Sequence, residues 1–199
     1  MMNRPDGAVT AHAGRAGFTH PGAHAPQAKG QEMKAWHFTA DTLRDGRPIP
    51  PIGETLVHDG PLIMCQSGLH ASVRAIDALR YAPGPFVHRV RCGGETVLEG
   101  DKLICAERTI LWSIDAAEVL RHFARLCALD VIHLWDAPKI VVQYLRTGDE
   151  TIRDAAWSAS WPAAQAAARS AARSASQDAQ NKRLARMLNA EHAKAAEST

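Results

Sequence analysis

A strict alternation between residues 86 and 92 constrains the fold of this chain more than any other feature of its sequence. Every second side chain there would share one face of an extended segment: Phe86, His88, Val90 and Cys92. Because successive side chains of a strand point to opposite faces, this pattern predicts a half-buried strand. The pair Gly93-Gly94 follows it and predicts a turn, after which residues 96–98 can pair back. A sheet is therefore expected at the centre of the fold.

Further segments predict both strands and helices. The strands are expected over residues 34–39, 62–65 and 108–114, with a shorter extended piece at residues 69–71. Ser72 is a possible N-cap for a helix that runs to about Tyr81. Asp115 with Glu118 three residues later has the pattern of a capping box, which predicts a second helix.

The chain divides into three regions. Residues 1–32 are rich in Ala, Gly, His and Pro and are expected to form a disordered N-terminal arm, with Met33 as a possible natural start. Residues 33–136 are expected to form an α+β domain, with a small, twisted, mostly antiparallel sheet and flanking helices. Residues 137–199 are expected to form a helical, Ala-rich C-terminal segment, in which Asp136 caps the first helix and Gly148 ends it.

The Ala-rich segment repeats similar residues every four positions and therefore predicts a long helix. Its apolar seam begins at Trp157 and Trp161 and shifts to Leu184, Met187 and Leu188. A seam of this kind is stable only when it is packed, so we expect it to dock on its own domain, with self-association into a homo-oligomer as the alternative. A basic stripe on the same segment is expected to be a solvated face, with contact to nucleic acid phosphates as the alternative: Arg169, Arg173, Lys182, Arg183 and Arg186.

Composition excludes some classes of protein. Lys and Arg number 23 and Asp and Glu 21, so the net charge of +2 favours neither nucleic acid nor protein partners. The longest uncharged apolar runs are too short to cross a bilayer, and we expect no membrane partner. The N-terminus lacks the apolar core of a secretory signal. Because the four cysteines are not closely paired, a reducing cytoplasm is the expected location.

Cysteine and histidine recur in two pairs that could carry chemistry. Cys65 precedes His70 by five positions, and His88 precedes Cys92 by four. Residues four apart on a strand are separated by roughly 13 Å, which is too far for both to bind one zinc ion, so no metal is expected. Cys65 as a nucleophile with His70 or His88 as its base is a further alternative, although a cysteine at the end of an apolar strand is more often buried and inert.

One arrangement of residues resembles a known superfamily. His37 lies on the first strand and is followed by Gly68-Leu69-His70-Ala71-Ser72 and then by a helix that ends at Tyr81. This order resembles that of the ADP-ribosyltransferases. The resemblance implies that His37 and His70 are catalytic-site residues and that NAD is bound with the help of Gly68, Leu69, Ser72 and Tyr81. His70 stands where that superfamily usually has an aromatic residue.

A glutamate on a late strand orients the acceptor in that superfamily. The candidates in this sequence are Glu95, Glu99 and Glu107, and their positions do not distinguish between them.

Another resemblance covers residues 33 to about 190. The runs that carry it are Cys65-Gln66-Ser67-Gly68-Leu69-His70-Ala71-Ser72, Gly100-Asp101-Lys102-Leu103 and Arg108-Thr109-Ile110-Leu111, together with the Ala-rich tail. They look like an uncharacterised family found in bacteriophage and prophage genomes. This resemblance implies a setting in the host cytoplasm and carries no activity.

Taken together, these features predict a phage or prophage accessory protein. Its α+β domain would resemble an ADP-ribosyltransferase and would act on, or bind, a host component. The alternatives are a non-catalytic interaction module that contacts a host protein through the Ala-rich helix, and a weak nucleic-acid binder. The transferase hypothesis requires His37 and His70, whereas the interaction-module hypothesis requires the apolar seam that begins at Trp157.

Overall fold

The structure is a computed structural model that describes residues 32–159 and 177–198. It confirms the α+β class. The strands are β1 (Met33–Thr39), β2 (Thr55–Val57), β3 (Leu69–Ala71), β4 (Phe86–Glu99) and β5 (Lys102–Asp115). The helices are α1 (Ala75–Leu79), α2 (Ala117–Asp130), α3 (Lys139–Thr147), α4 (residues 153–159) and α5 (Gln177–Glu197). Short 3₁₀ turns lie at Ile132–Leu134 and Glu150–Ile152.

The five strands form one antiparallel sheet in the order β1-β4-β5-β2, with β3 paired to the other end of β5. Strands β4 and β5 make a long ribbon whose register shifts between Arg89 and Val90 and again between Gly93 and Thr96. Such bulges bend a strand and increase its twist. The ribbon therefore curls, and Ser72, next to β3, reaches β1, where its backbone bonds to Trp36 at 2.8 and 3.0 Å.

The two faces of the sheet bury different residues. One face, here called the helix face, packs against α1, α2 and α5 and holds most of the large buried side chains: Trp36, Phe38, Val87, Phe123, Leu184 and Leu188. The opposite face, here called the inner face, buries a second cluster: Ala35, Ala71, Val90, Cys92, Leu103, Cys105 and Ile110. The predicted separation of Trp36 and Phe38 from Ala35 is confirmed. The alternation over residues 86–92 is also confirmed, because Val87 belongs to the helix face and Val90 and Cys92 to the inner face.

The predicted turn at Gly93-Gly94 is wrong. Strand β4 continues through both glycines to Glu99, and the chain reverses at Gly100 and Asp101 instead. Gly94 has φ of 68°, which only glycine adopts without strain, and it lies where the register with β5 shifts. The glycine pair therefore accommodates a bulge within the strand.

Two further local predictions are wrong. The predicted strand at residues 62–65 runs instead into a tight turn over residues 63–67, in which the N–H of Ser67 bonds to the carbonyl oxygen of Ile63 at 2.8 Å and Cys65 has φ of 66°. Ser72 does not cap a helix, because its backbone is paired with Trp36. Helix α1 begins only at Ala75.

The later helix boundaries are closer to expectation. The Asp115 carboxylate accepts the N–H of Ala117 at 2.9 Å and so supports the start of α2, but Glu118 pairs with Arg121 and does not complete a capping box. Helix α3 begins after Pro138, whereas Asp136 makes no cap. Gly148 ends α3 in the left-handed conformation and donates its N–H to Tyr144, as predicted.

The C-terminal helix docks on its own domain. Leu184 and Leu188 of α5 are fully buried among the side chains of the helix face. The expectation that this part of the seam covers the core is therefore confirmed. Trp161, Arg169, Arg173 and the rest of residues 160–176 lie outside the described residues, as does the N-terminal segment 1–31. Within residues 32–159 and 177–198, no helix is long and apolar enough to cross a membrane.

Gly84 provides a test of the packing at the end of β1. A Cβ atom there would lie 2.7 Å from Ala40 Cα and 2.9 Å from the carbonyl oxygen of Thr39. Because these are backbone atoms, we expect Gly84→Ala to lower the free energy of unfolding by about 1–3 kcal/mol in urea denaturation. Gly93→Ala is the matched control, since its new Cβ would meet only Glu107 at 3.6 Å. Equal stability of the two variants would contradict the close approach.

Candidate functional site

An arginine is buried at the centre of the inner face. Arg108 lies on β5 between Cys92 of β4 and Leu56 of β2, and only 5% of it is exposed. Its Nη1 donates a hydrogen bond of 2.5 Å to the carbonyl oxygen of His70. Among the described residues it has no ion pair. Such an arrangement is unusual, because buried charges are normally paired.

The nearby carboxylate of Asp45 does not serve as that partner. Its charge acts on Arg108 and favours the charged guanidinium. However, Asp45 is already paired with Arg47 at 2.7 Å, and the charge of Arg47 acts on Arg108 in the opposite sense. Burial is the largest influence and lowers the pKa of Arg108, although an arginine remains protonated throughout the physiological range.

His88 is a fully satisfied member of the cluster. Its Nε2 bonds to the hydroxyl of Thr39 at 2.9 Å, and its Nδ1 bonds to the hydroxyl of Ser113 at 2.7 Å. Burial and the charge of Arg108 lower the pKa of His88 to about 4. The ring is therefore neutral at pH 7, and its contacts on both sides give it a structural role.

His37 lies directly across from His88 in the pairing of β1 with β4. The two ring centroids are 6.0 Å apart. Burial lowers the pKa of His37 well below its usual range, and the charges of Arg108, His88 and His70 act in the same direction. Within the part of the chain that the structure describes, its ring nitrogens have no hydrogen-bond partner. His37 is thus a neutral, partly exposed imidazole with hydrogen-bonding capacity to spare.

His70 has a fixed orientation and one unused atom. Its Nδ1 lies 3.0 Å from the carbonyl oxygen of Gly68, and because a carbonyl only accepts, Nδ1 carries the proton. Its Nε2 is buried and has no hydrogen-bond partner in the part of the chain that the structure describes. Burial lowers the pKa of His70, opposed by the bond to Gly68 and assisted by the charges of Arg108, Arg44 and Lys102. The neutral ring therefore presents a bare acceptor.

Tyr81 lies at the edge of this region. Its hydroxyl donates to both carboxylate oxygens of Asp101, at 3.1 and 3.0 Å. The ammonium of Lys102 lies 5.0 Å from the centre of the Tyr81 ring and also donates to Cys65 Sγ at 3.1 Å. The charge of Lys102 also lowers the pKa of His70. Tyr81, Asp101 and Lys102 therefore border the histidines and the arginine.

The structure brings together some of the residues that the sequence singled out. His37, His70 and Gly68 belong to the cluster around Arg108, whose charge lowers the pKa of both histidines. Leu69 instead packs beside the inner-face core and accepts a bond from the thiol of Cys105. Ser72 is buried and pairs through its backbone with β1. Glu95, Glu99 and Glu107, the candidate acceptor-orienting glutamates, are all exposed on β4 and β5.

Sequence reasoning missed Arg108, Thr39 and Ser113 as members of this cluster. A signal for Arg108 was present, since residues 108–114 were expected to be a strand and the arginine falls on its inward-facing side. The burial of that side could not be inferred from the strand alone. Among the described residues, no group of three or more His, Cys, Asp or Glu side chains could hold a metal ion.

The fold and the site together define a small α+β domain whose curled sheet encloses a buried arginine flanked by neutral histidines. Residues 33–122 match the model of a family described as a domain of unknown function (DUF7666), which covers less than half of the chain. No curated protein and no solved structure matches the chain. The phage setting and the ADP-ribosyltransferase resemblance therefore remain predictions.

Proposed function

We propose that the α+β domain binds NAD beside His70 and His37 and acts as an ADP-ribosyltransferase-like domain on a host component. The observation that carries this proposal is the Nε2 of His70, which is buried and has no hydrogen-bond partner among the described residues. A buried polar atom without a partner is rare in a folded protein, and a ligand is one way to satisfy it.

The chemistry of the two histidines suits a ribose. A neutral imidazole nitrogen accepts a hydrogen bond from a hydroxyl group, and His70 offers such an acceptor in a fixed orientation. His37 offers a second ring, partly exposed on β1. In a transferase, the ribose develops positive charge as nicotinamide leaves, and a water-excluding cleft with oriented dipoles stabilises that charge. Such a reaction also needs a group that orients the acceptor, for which Glu95, Glu99 and Glu107 stay as candidates.

Thermal unfolding of the full chain with and without NAD tests the proposal. A ligand that binds only the folded state raises the midpoint, and an NAD concentration ten times Kd should give about 1.4 kcal/mol. For a chain of this size we expect a rise of about 3–6 °C. His70→Ala and His37→Ala should each reduce that rise, whereas the exposed His133→Ala should retain it. An unchanged midpoint for the wild type would refute NAD binding.

Transfer itself needs a second readout. If NAD binds, host lysate and labelled NAD should give a labelled acceptor with the wild type and not with His70→Ala. Binding without labelling would leave a nucleotide-binding domain that is not a transferase.

The interaction-module alternative is less well supported. Leu184 and Leu188, which lie on the seam proposed for partner contact, are already buried within the domain. The basic stripe is also partly engaged, because Arg183 bonds to Asp130 at 2.6 and 3.2 Å. These contacts reduce the surface that α5 can offer to a partner helix or to nucleic acid.

A further inference from the structure

We propose that Arg108 binds a phosphoryl group of the ligand. This inference deepens the proposed function and relies on it for the identity of the nucleotide. The anion site itself stands on separate observations about Arg108.

The first observation is the unbalanced charge. Arg108 is 5% exposed and forms no ion pair among the described residues. Removing a charge from water without a partner is costly, and a bound ligand of opposite charge would offset that cost. Cys92 and Cys105 also act on the guanidinium, but they are thiols and supply no carboxylate, and Cys105 donates to the carbonyl oxygen of Leu69 at 3.3 Å.

The second observation is the orientation of the guanidinium. Its Nη1 is occupied by the carbonyl oxygen of His70. The Nε and Nη2 donors have no partner among the described residues, and together they form one edge of the planar group. Two parallel N–H donors on one edge match two oxygens of a phosphate, which is the bidentate geometry for which arginine is favoured over lysine.

The third observation is the sign of the surrounding charge. The two charged side chains of the neighbouring turn that act on the guanidinium, Asp45 and Arg47, are paired with each other at 2.7 Å and leave its charge unbalanced. A phosphate or pyrophosphate, which carries more than one negative charge, is therefore favoured over a single carboxylate.

Calorimetric titration of the full chain tests the anion site with defined probes: inorganic pyrophosphate, inorganic phosphate, acetate, NAD and nicotinamide riboside. We expect pyrophosphate and phosphate to bind more tightly than acetate. NAD should bind more tightly than nicotinamide riboside, which lacks a phosphate. Arg108→Lys should weaken pyrophosphate binding at least tenfold, because it keeps the charge but loses the two-donor edge.

Arg91→Lys on β4 is the matched control, since that partly exposed sheet arginine already faces Glu32 at 3.5 Å. Its pyrophosphate affinity should equal that of the wild type. The order of affinities of the wild type for pyrophosphate, phosphate and acetate keeps the test decisive if the Arg108 variant fails to fold.

The possible outcomes separate this proposal from the previous one. Pyrophosphate binding that depends on Arg108, without NAD binding, would refute the NAD proposal and leave the anion site standing. Absence of pyrophosphate and phosphate binding would overturn the anion site, as would equal pyrophosphate affinity in the wild type and Arg108→Lys. Tighter binding of acetate than of phosphate would show that the site takes carboxylates instead.

Discussion

Replacing Leu184 with alanine should lower the free energy of unfolding by about 2–5 kcal/mol. The side chain is fully buried among the residues of the helix face, where α5 packs against the sheet. Alanine would remove its apolar surface from the core and leave a cavity between the helix and the sheet. A loss of this size is a large part of the stability of an ordinary domain, so partial unfolding near 37 °C is expected.

Urea denaturation followed by circular dichroism measures this effect. Leu134→Ala is the matched control, because the same side chain is 43% exposed in the 3₁₀ turn after α2. Its loss should be under about 1 kcal/mol, as is usual for surface positions. If Leu184→Ala were no worse than Leu134→Ala, α5 would not be part of the core, and its apolar residues would again be available to a partner.

Acidification should destabilise the protein through His88. The pKa of this ring is about 4 in the folded protein and 6.5 without the fold. Between these values the unfolded chain binds a proton that the folded protein refuses, so the free energy of unfolding falls as the pH falls. The loss attributable to His88 should be about 2 kcal/mol by pH 5 and approach about 3 kcal/mol near pH 4. His37 and His70, whose pKa values are also lowered, should add to it.

Urea denaturation at several pH values between 7 and 5 checks this expectation. Glutamine at position 88 can still accept a hydrogen bond and donate one, as Thr39 and Ser113 require, but it does not titrate. His88→Gln should therefore flatten the dependence on pH, whereas the exposed His133→Gln should not. If the free energy of unfolding changed with pH equally in the wild type and His88→Gln, His88 would take up its proton in the folded protein at the same pH as in the unfolded chain.

Local patterns predicted those elements whose side chains alternate clearly. The two faces of β1, the inward and outward sides of β4, and the start of α2 at Asp115 follow from spacing and from capping chemistry within a few residues. The short apolar run at residues 62–65 was mistaken for a strand, because apolar residues within a tight turn look the same over four positions. The strand at Thr55–Val57 was missed, since its pairing with β5 depends on a partner that is distant in sequence.

For the candidate site, the sequence alone determined that His37 and His70 lie on extended segments, and it placed Leu184 and Leu188 on one side of a helix. Only the tertiary structure decided that Arg108 is buried, that His88 is satisfied by Thr39 and Ser113, and that within the described residues Arg108 forms no ion pair and His70 Nε2 has no partner. The physical reason is that spacing sets which side of a strand a residue occupies, whereas burial and charge balance depend on which distant segments cover that side. Here the bulges in β4 and β5 curl the sheet and bring β3 and the turn that contains Asp45 and Arg47 close to Arg108.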